Sequence, residues 1–417
     1  IFFYPSMNRL SQIASHLTPG KQGSVEELRA KHPDDVVVVA AYRTPIAKGL
    51  KGGFKDLQTE DLVYLLLSEF NKKKIIDFAK IEDVVCGNVL NKGAGANEHR
   101  AACLAAGIPD TVPFVAINRQ CSSGLMSVNY VANAITAGQI NIGLAMGVES
   151  MTTFFGPQSM PTLSDLLSET SDEAVKCLIP MGITNENIAE QFNISRKVQD
   201  EFAAASYAKA LKSVEGGLFD AEILPIPVPD PEDPSKVKTV ISRDEGVRKG
   251  TTYEVLSKLR PSFKKNGTTH AGNASQVSDG AALVLLARRS VAEQLGLPIV
   301  AKYVMTQVVG VPPEIMGVGP GYAVPKLLHQ YNLKPDDVDI FEINEAFAGQ
   351  CLYSIEKAQI PSERVNPRGG AIALGHPLGC TGARLVATVL SQLSPGQLGV
   401  TSMCIGSGMG AAALFIK

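Results

Sequence analysis

The stretch VNPRGGAIALGHPLG (residues 365–379), followed by CIGSG (residues 404–408), decides how this chain folds and what it can do. It places a histidine and a cysteine on two glycine-lined turns, with a helix and a strand predicted between them. A third segment, NRQCSSG (residues 118–124), puts a second cysteine where an apolar run meets a helical run. Two thiols and one imidazole on such turns predict thiol chemistry on a carbonyl group.

The composition limits the class of protein. The formal net charge is -2 and basic residues cluster only locally, which argues against a general nucleic-acid surface. No apolar run approaches the roughly 18 to 20 residues that cross a bilayer. The seven cysteines are an odd number without short repeated spacings. Such a pattern is typical of separate thiols in a reducing compartment, and it predicts no metal site.

Apolar runs and helical runs alternate along the first third of the chain. Strands are predicted at residues 34–41, 84–89, 114–117 and 142–148, and helices at residues 62–70, 100–106 and 122–137. This order predicts an α/β fold with a largely parallel sheet. Residues 151–276 are polar and broken by prolines, which predicts an inserted layer of loops and helices before a strand at residues 281–287.

The last third of the chain repeats the first third faintly. Gly124 and Gly382 lie at the same separation as Met146 and Cys404, and similar strand and helix patterns surround them. The repeat predicts two duplicated α/β core halves of layered helices and mixed sheets, with the site between them. We therefore expect four parts: an N-terminal extension (1–33), an N-terminal half (34–150 with 277–297), an inserted loop domain (151–276) and a C-terminal half (298–417).

Four positions are candidates for the chemistry. Cys121 lies at a predicted helix start, whose free amides favour a thiolate and lower the thiol pKa from about 8.5. His376 lies in a glycine-rich turn that lets a ligand approach closely. Cys404 opens a glycine turn whose amides can bind an oxyanion, and Asn344 follows a strand at its carboxyl end. The alternative for Cys121 and for His376 is a buried structural role, which is also the role expected of Cys86, Cys103, Cys177, Cys351 and Cys380.

The segments around these residues resemble the four signature blocks of the thiolases. The blocks are NRQCSSG (118–124), NEAF (344–347), GHP (375–377) and CIG (404–406), and they occur in the family order. The likeness covers residues 34–417 and is greatest to the peroxisomal subgroup that cleaves 3-ketoacyl-CoA, whose GNASQVSDG (272–280) and PPEIMGVGP (312–320) segments are similar. It implies a thiolase-like fold and peroxisomal fatty acid β-oxidation.

The resemblance also implies a role for each candidate. Cys121 is expected to accept the acyl group, and His376 to activate first Cys121 and then the thiol of CoA. Cys404 is expected to protonate the departing enolate carbon. Asn344, through a water, and His376 are expected to stabilise the enolate oxygen, while the amides of Cys121 and Gly406 bind the tetrahedral intermediate.

CoA is the expected co-substrate, and no permanently bound cofactor is implied. The inserted loop domain is expected to bind it, with Arg248 at the nucleotide end and Ser275 on the pantetheine arm. Met181 resembles the pocket methionine beside the thioester. Pro180 stands where short-chain acetoacetyl-CoA thiolases usually have a histidine, which favours a degradative enzyme. His270 departs from the threonine that the family pattern has before Ala271.

Other functions fit parts of the sequence. A biosynthetic acetoacetyl-CoA thiolase shares all four blocks. A condensing enzyme such as a ketoacyl synthase shares the nucleophilic cysteine but uses a second histidine in place of Cys404. A catalytically silent acyl-CoA-binding relative would lack one of the four groups, and none is missing.

The N-terminal segment and the family pattern predict two protein partners. Arg9, Leu10, His16 and Leu17 form a pattern that resembles the second type of peroxisomal import signal, and it predicts binding to the import receptor and a location in the peroxisomal matrix. A frayed amphipathic helix is the alternative for the same residues. The family pattern further implies a homodimer, with residues 97–100 near the interface.

Overall fold

The computed structural model describes residues 25–156, 159 and 161–417. The import pattern at Arg9, Leu10, His16 and Leu17 lies outside the described residues. Within them, no helix is long and apolar enough to cross a membrane.

Helices and strands alternate through most of the described chain. The helices are α1 (Val25–Arg29), α2 (Thr59–Asn71), α3 (Ala96–Ala105), α4 (Ser123–Ala137), α5 (Met151–Phe154), α6 (Asp165–Thr170), α7 (Asp172–Lys176), α8 (Met181–Gln191), α9 (Arg196–Glu215), α10 (Tyr253–Leu256), α11 (Arg289–Gln294), α12 (Gly319–His329), α13 (Ala348–Lys357), α14 (Ala371–Leu374) and α15 (Leu378–Gln392). The strands are β1 (Val36–Arg43), β2 (Ala47–Lys48), β3 (Asp83–Gly87), β4 (Phe114–Ile117), β5 (Ile142–Ser150), β6 (Ile226–Pro229), β7 (Val237–Ile241), β8 (Ser278–Arg288), β9 (Ala301–Gly310), β10 (Ile340–Ile343), β11 (Leu398–Ile405) and β12 (Met409–Ile416).

The main sheet has the strand order β10-β11-β12-β9-β1-β8-β5-β3-β4, with β2 paired to β8 at one side. Its parallel pairs are β3 with β4, β3 with β5, and β10 with β11. The pairs along β1, β8, β9 and β12 are antiparallel. The expectation of a largely parallel sheet, drawn from the first third of the chain, is therefore wrong, whereas the prediction of layered helices and mixed sheets is confirmed. An apolar strand buried on both faces has the same composition in either direction, so the sequence did not distinguish the two.

The N-terminal and C-terminal strands follow the same pairing pattern. In the first set, β1, β8, β5, β3 and β4 are joined by two antiparallel pairs and then two parallel pairs. In the second set, β9, β12, β11 and β10 repeat this order, and a parallel bridge from Phe341 to Val365 stands where β4 stands in the first set. The faint repeat in the sequence corresponds to this repeated topology.

The two strand sets cover a central pair of helices. On β1, Val36 packs into the core that contains α4 and α15, whereas Val37 packs into the core beneath α2. On β12, Ala413 joins the central core and Leu414 joins the core beneath α12 and α13. The period-two alternation of apolar side chains thus produces five layers: helix, sheet, paired helices, sheet, helix.

The middle of the chain forms a separate layer over these cores. Its described part contains helices α5 to α10 and one small sheet, β6 with β7. Ile226 and Val228 of β6 are buried in the core of the first strand set. Helix α9 packs against α14 and α13 through a core that includes Tyr207 and Ile372. Loops and helices dominate this layer, as the prolines of the sequence predicted.

Candidate active site

Cys121 lies in a tight turn between β4 and α4. The Asn118 side chain accepts a hydrogen bond from the Gln120 amide at 2.9 Å, and the Ser123 hydroxyl accepts one from the Arg119 amide at 2.9 Å. Gln120 adopts a left-handed backbone with φ of 47°. Short polar side chains therefore build the turn locally, and they leave Cys121 partly exposed at its apex.

The Cys121 thiol is not activated in the way its position at a helix start suggests. Burial raises its pKa to about 11, although the backbone amides of Gly406 and of Cys121 itself lower it. The prediction of a lowered thiol pKa is therefore wrong for the free protein. The physical reason is that the low-polarity surroundings disfavour the thiolate more than the two amides favour it.

Gly406 faces Cys121 from the opposite strand set. It lies where β11 ends, and the turn to β12 continues through Ser407 with φ of 63° and Gly408 with φ of 91°. A Cβ at Gly408 would lie 2.3 Å from the Val311 carbonyl oxygen, so this turn requires glycine. The turn directs the Gly406 amide to the Cys121 sulfur. Two amides near one sulfur form a site that can hold an oxyanion.

His376 is buried on the turn that precedes α15. Its Nε2 lies 3.3 Å from Asn344 Nδ2, and its Nδ1 lies 2.6 Å from Thr381 Oγ1. Gly375 has φ of 110° and packs against Ser278, so glycine is required beside the histidine. Burial, reinforced by the Arg384 charge, lowers the pKa of His376 to about 3. The imidazole is therefore neutral at physiological pH and can accept a proton.

Asn344 holds a free acceptor inside the protein. It directly follows β10, and its amide donates to the Ser402 carbonyl at 2.9 Å. Its side-chain Oδ1 is buried and has no hydrogen-bond partner among the described residues. A buried unpaired acceptor is costly, so it fits a bound water or a substrate group.

Cys404 is fully buried near the end of β11. It packs in a small apolar cluster whose other members are Ala274, Met316, Ala346, Phe347 and the partly buried Met181. Burial raises the Cys404 pKa strongly, and the nearby Cys121 raises it further. The Cys404 thiol therefore stays protonated, as a proton donor must be.

The structure brings the sequence-predicted groups together. Cys121 comes from the first strand set, whereas Gly406, Cys404, Asn344 and His376 come from the second. Cys121 acts electrostatically on Cys404, and Asn344 contacts His376. The close packing of Gly124 on Gly379 brings the segments that follow Cys121 and His376 together.

Of the three residues predicted to contact CoA, Met181 and Ser275 are partly buried and Arg248 is exposed. Met181 begins α8 and packs on the cluster around Cys404. The Ser275 amide donates to the Ala346 carbonyl at 2.9 Å, which fixes Ser275 beside the NEAF segment. Arg248 is exposed. Burial raises the pKa of Tyr207, and the positive charge of Arg248 lowers that pKa in part. Arg248 therefore lies at the outer rim of the expected CoA site.

His270 has a clear structural role that the sequence did not reveal. Its Nε2 lies 2.7 Å from Asp200 Oδ1 on α9, and its Nδ1 accepts the Gly272 amide at 2.9 Å. Burial alone would raise the pKa of Asp200, but His270 and Arg196 hold it below its usual value. The pair ties the loop that carries Ser275 to helix α9.

Glu149 is a further residue of the site that no sequence signal indicated. At the end of β5 it accepts hydrogen bonds from Asn88 Nδ2 at 2.9 Å, from the Val89 and Leu90 amides, and from the Gly379 amide at 2.9 Å. Gly379 is the second residue of α15. A carboxylate from the first strand set therefore holds the start of the helix that follows His376.

Within the part of the chain that the structure describes, no cluster of three His, Cys, Asp or Glu side chains is arranged to bind a metal ion.

The chain is similar to known proteins over nearly its whole length. The family model described as thiolase, N-terminal domain, matches residues 36–290, and the model for the thiolase C-terminal domain matches residues 297–417. The peroxisomal 3-ketoacyl-CoA thiolase of Saccharomyces cerevisiae is 59% identical over 98% of this chain and 99% of its own length. That of Yarrowia lipolytica is 58% identical over 98% and 100%. The crystal structure of the dimeric peroxisomal thiolase of Saccharomyces cerevisiae superposes with a TM-score of 0.89 at 60% identity, covering 94% of this chain and 100% of that chain.

Proposed function

This chain belongs to the thiolase family, and we propose that two cysteines, one histidine and one asparagine carry out its reaction. The reaction is the cleavage of 3-ketoacyl-CoA by CoA to acetyl-CoA and an acyl-CoA shortened by two carbons, the last step of peroxisomal fatty acid β-oxidation. The enzyme is an acetyl-CoA C-acyltransferase. The observation that carries the residue roles is the close packing of Gly124 on Gly379, which brings the start of the helix after Cys121 against the start of the helix after His376.

Cys121 and His376 begin the reaction as a neutral pair. The thiol pKa of about 11 and the imidazole pKa of about 3 both disfavour a preformed thiolate and imidazolium. The proton therefore passes from the Cys121 sulfur to His376 as the sulfur attacks the 3-keto carbon. The negative charge that forms on the keto oxygen is bound by the amides of Cys121 and Gly406.

Collapse of this intermediate breaks the bond between carbons 2 and 3. The electron pair leaves as the enolate of acetyl-CoA, and the acyl group stays on Cys121. The enolate oxygen is stabilised by His376 and by a water held at Asn344 Oδ1, the acceptor that lacks a partner in the protein. Cys404 donates its proton to the enolate carbon, which releases acetyl-CoA.

The second half of the reaction transfers the acyl group to CoA. His376 first returns its proton to Cys404 and then takes the proton of the incoming CoA thiol as the CoA sulfur attacks the thioester on Cys121. The same amides then bind the second oxyanion. Acyl-CoA leaves, Cys121 recovers its proton from His376, and the protein returns to its starting protonation state. CoA is a co-substrate in this scheme, and no other cofactor takes part.

The CoA molecule lies along the middle layer of the chain. Met181 lines the thioester end, Ser275 contacts the pantetheine arm, and Arg248 meets the nucleotide phosphates at the exposed rim. The exposure of Arg248, in contrast to the partly buried Met181 and Ser275, supports placing the charged nucleotide near water and the reacting sulfur toward the buried Cys404.

The protein works as a homodimer in the peroxisome. Strand β4 is the last strand of the sheet, and all four of its residues are partly exposed, which leaves an edge available to a second copy. Residues 97–100 lie near that interface.

The pattern at Arg9, Leu10, His16 and Leu17 is the part of the chain that the peroxisomal import receptor binds. Residues 34–150 with 277–297 and residues 298–417 form the two core halves, residues 151–276 form the inserted domain, and residues 1–33 form the extension.

Trapping the acyl-enzyme tests these roles. In Cys121→Ala, incubation with 3-ketoacyl-CoA should give no increase in protein mass, whereas Cys404→Ala should still acquire the acyl group when presented with acyl-CoA but should turn over at least 100-fold more slowly. Cys177→Ala, which changes an exposed cysteine, is the matched control and should behave as wild type. An acylated Cys121→Ala protein, or normal turnover by Cys404→Ala, would contradict the assignment.

A further inference from the structure

Thr381 contacts the catalytic histidine on the side away from the substrate. It lies in the first turn of α15 and is fully buried. Its Oγ1 is 2.6 Å from His376 Nδ1 and 3.0 Å from the Pro377 carbonyl oxygen. None of the roles proposed above involves this hydroxyl.

The hydrogen atoms around His376 can be counted from its contacts. A neutral imidazole carries one N–H and one bare nitrogen. Asn344 presents its Nδ2 amino group to Nε2 at 3.3 Å, and an amino group can only donate. Nε2 must therefore be the bare nitrogen, and the hydrogen lies on Nδ1.

The Thr381 hydroxyl completes this arrangement. It has one hydrogen to donate, and the Pro377 carbonyl, which can only accept, lies at 3.0 Å. The hydroxyl oxygen then accepts the Nδ1 hydrogen of His376 at 2.6 Å. In the opposite arrangement, Thr381 would donate to Nδ1, and the hydrogen on Nε2 would point at the Asn344 amino group. Two donors would then face each other in a buried site.

We propose that Thr381 is a positioning residue that holds His376 in the tautomer with a bare Nε2. This inference rests on the proposed function, because it assigns Nε2 as the atom that takes the Cys121 proton. A hydroxyl partner orients the ring without adding negative charge. The imidazolium that forms during the reaction is therefore stabilised less than it would be beside a carboxylate, and it readily returns its proton.

Replacing Thr381 tests the proposal kinetically. Thr381→Val keeps the shape and removes the acceptor, so the rate of acyl-enzyme formation and kcat should fall by about 10- to 100-fold while KM changes less than about twofold. Thr381→Ser keeps the hydroxyl and should recover most of the rate. Thr388→Val is the matched control, because it removes another buried threonine hydroxyl of α15, one that donates to Glu222 and lies about two helical turns after Thr381.

The outcomes separate this inference from the proposed function. A Thr381→Val enzyme with wild-type acylation overturns the inference alone, provided that wild type shows a Cys121 acyl-enzyme. Equal losses in Thr381→Val and Thr388→Val also overturn it, because they point to a general effect on the helix. Absence of a Cys121 acyl-enzyme in wild type overturns the proposed function instead.

A direct measurement needs no change at Thr381. Nitrogen-15 NMR of wild-type protein labelled at histidine identifies the ring nitrogen of His376 that carries the hydrogen, with His376→Gln used to assign the signal. The expected result is a protonated Nδ1 and a bare Nε2 at neutral pH. A protonated Nε2 would overturn the inference.

Discussion

Gly382 of α15 lies directly against Leu125 of α4: a Cβ on Gly382 would stand 2.2 Å from the Leu125 amide nitrogen. The corresponding residue of the first half, Gly124, is equally close to α15, since its Cβ would stand 2.5 Å from the Gly379 carbonyl oxygen. Helix α4 begins two residues after Cys121, and α15 begins two residues after His376. The contact between these two helices therefore sets the distance between the nucleophile and its base.

The first prediction concerns this contact. Gly382→Ala should lower the free energy of unfolding by about 1 to 3 kcal/mol, because the added methyl group meets backbone atoms that cannot move aside. It should also reduce kcat by separating Cys121 from His376. Gly310→Ala is the control, since a Cβ there meets no atom within 4 Å. Urea unfolding measures the free energy of unfolding of both variants, and equal stability of Gly382→Ala and Gly310→Ala would contradict the predicted close packing.

The second prediction concerns the rim of the CoA site. Arg248→Ala should raise KM for CoA about fivefold and leave kcat unchanged, because an exposed charge contributes about 1 kcal/mol to binding a phosphate. Lys249→Ala, which removes the neighbouring exposed charge, is the control. With a pantetheine thioester that lacks the nucleotide, Arg248→Ala and wild type should have the same KM. A difference that persists with this substrate would place Arg248 elsewhere.

The third prediction is the pH dependence of acylation. Protonation of His376 abolishes the base only as pH falls through its pKa of about 3, and ionisation of free Cys121 begins only as pH rises toward about 11. The acylation rate should therefore change less than about twofold between about pH 6 and 9. Stopped-flow measurement of the acyl-enzyme over this range checks the result, with circular dichroism to show that the protein stays folded. A steep acid limb centred near pH 6.5 would show that His376 titrates like a solvent-exposed histidine.

Short strands that lead into polar residues were the most predictable parts of the fold. The apolar run at residues 114–117 became β4 with the same bounds, and it is followed by Asn118. Strand direction was not predictable, because pairing joins residues as distant as Val36 and Arg288. Helix α3 begins at Ala96, four residues before its predicted start, because the preceding turn adopts left-handed conformations at Gly93, Ala94 and Gly95 that no simple periodicity indicates.

The site was predictable as a set of motifs but not as an electrostatic environment. The sequence indicated Cys121, yet its thiol pKa depends on burial by segments that are remote in the chain, including Gly406. Thr381 and Glu149 carry no motif of their own, because an ordinary hydroxyl and an ordinary carboxylate acquire their roles only from what they touch. Residues that support other residues were therefore found only in the structure.

The pairing of β1 has a consequence for how substrate reaches the site. Residues 36–38 bond to β8 along one edge and to β9 along the other, so one strand belongs to both strand sets. Because β1 pairs with a strand of each set, a rotation of one set toward the other would have to break backbone hydrogen bonds. Substrate therefore reaches the reacting groups without a movement of one strand set relative to the other, and those groups keep their spacing throughout the cycle.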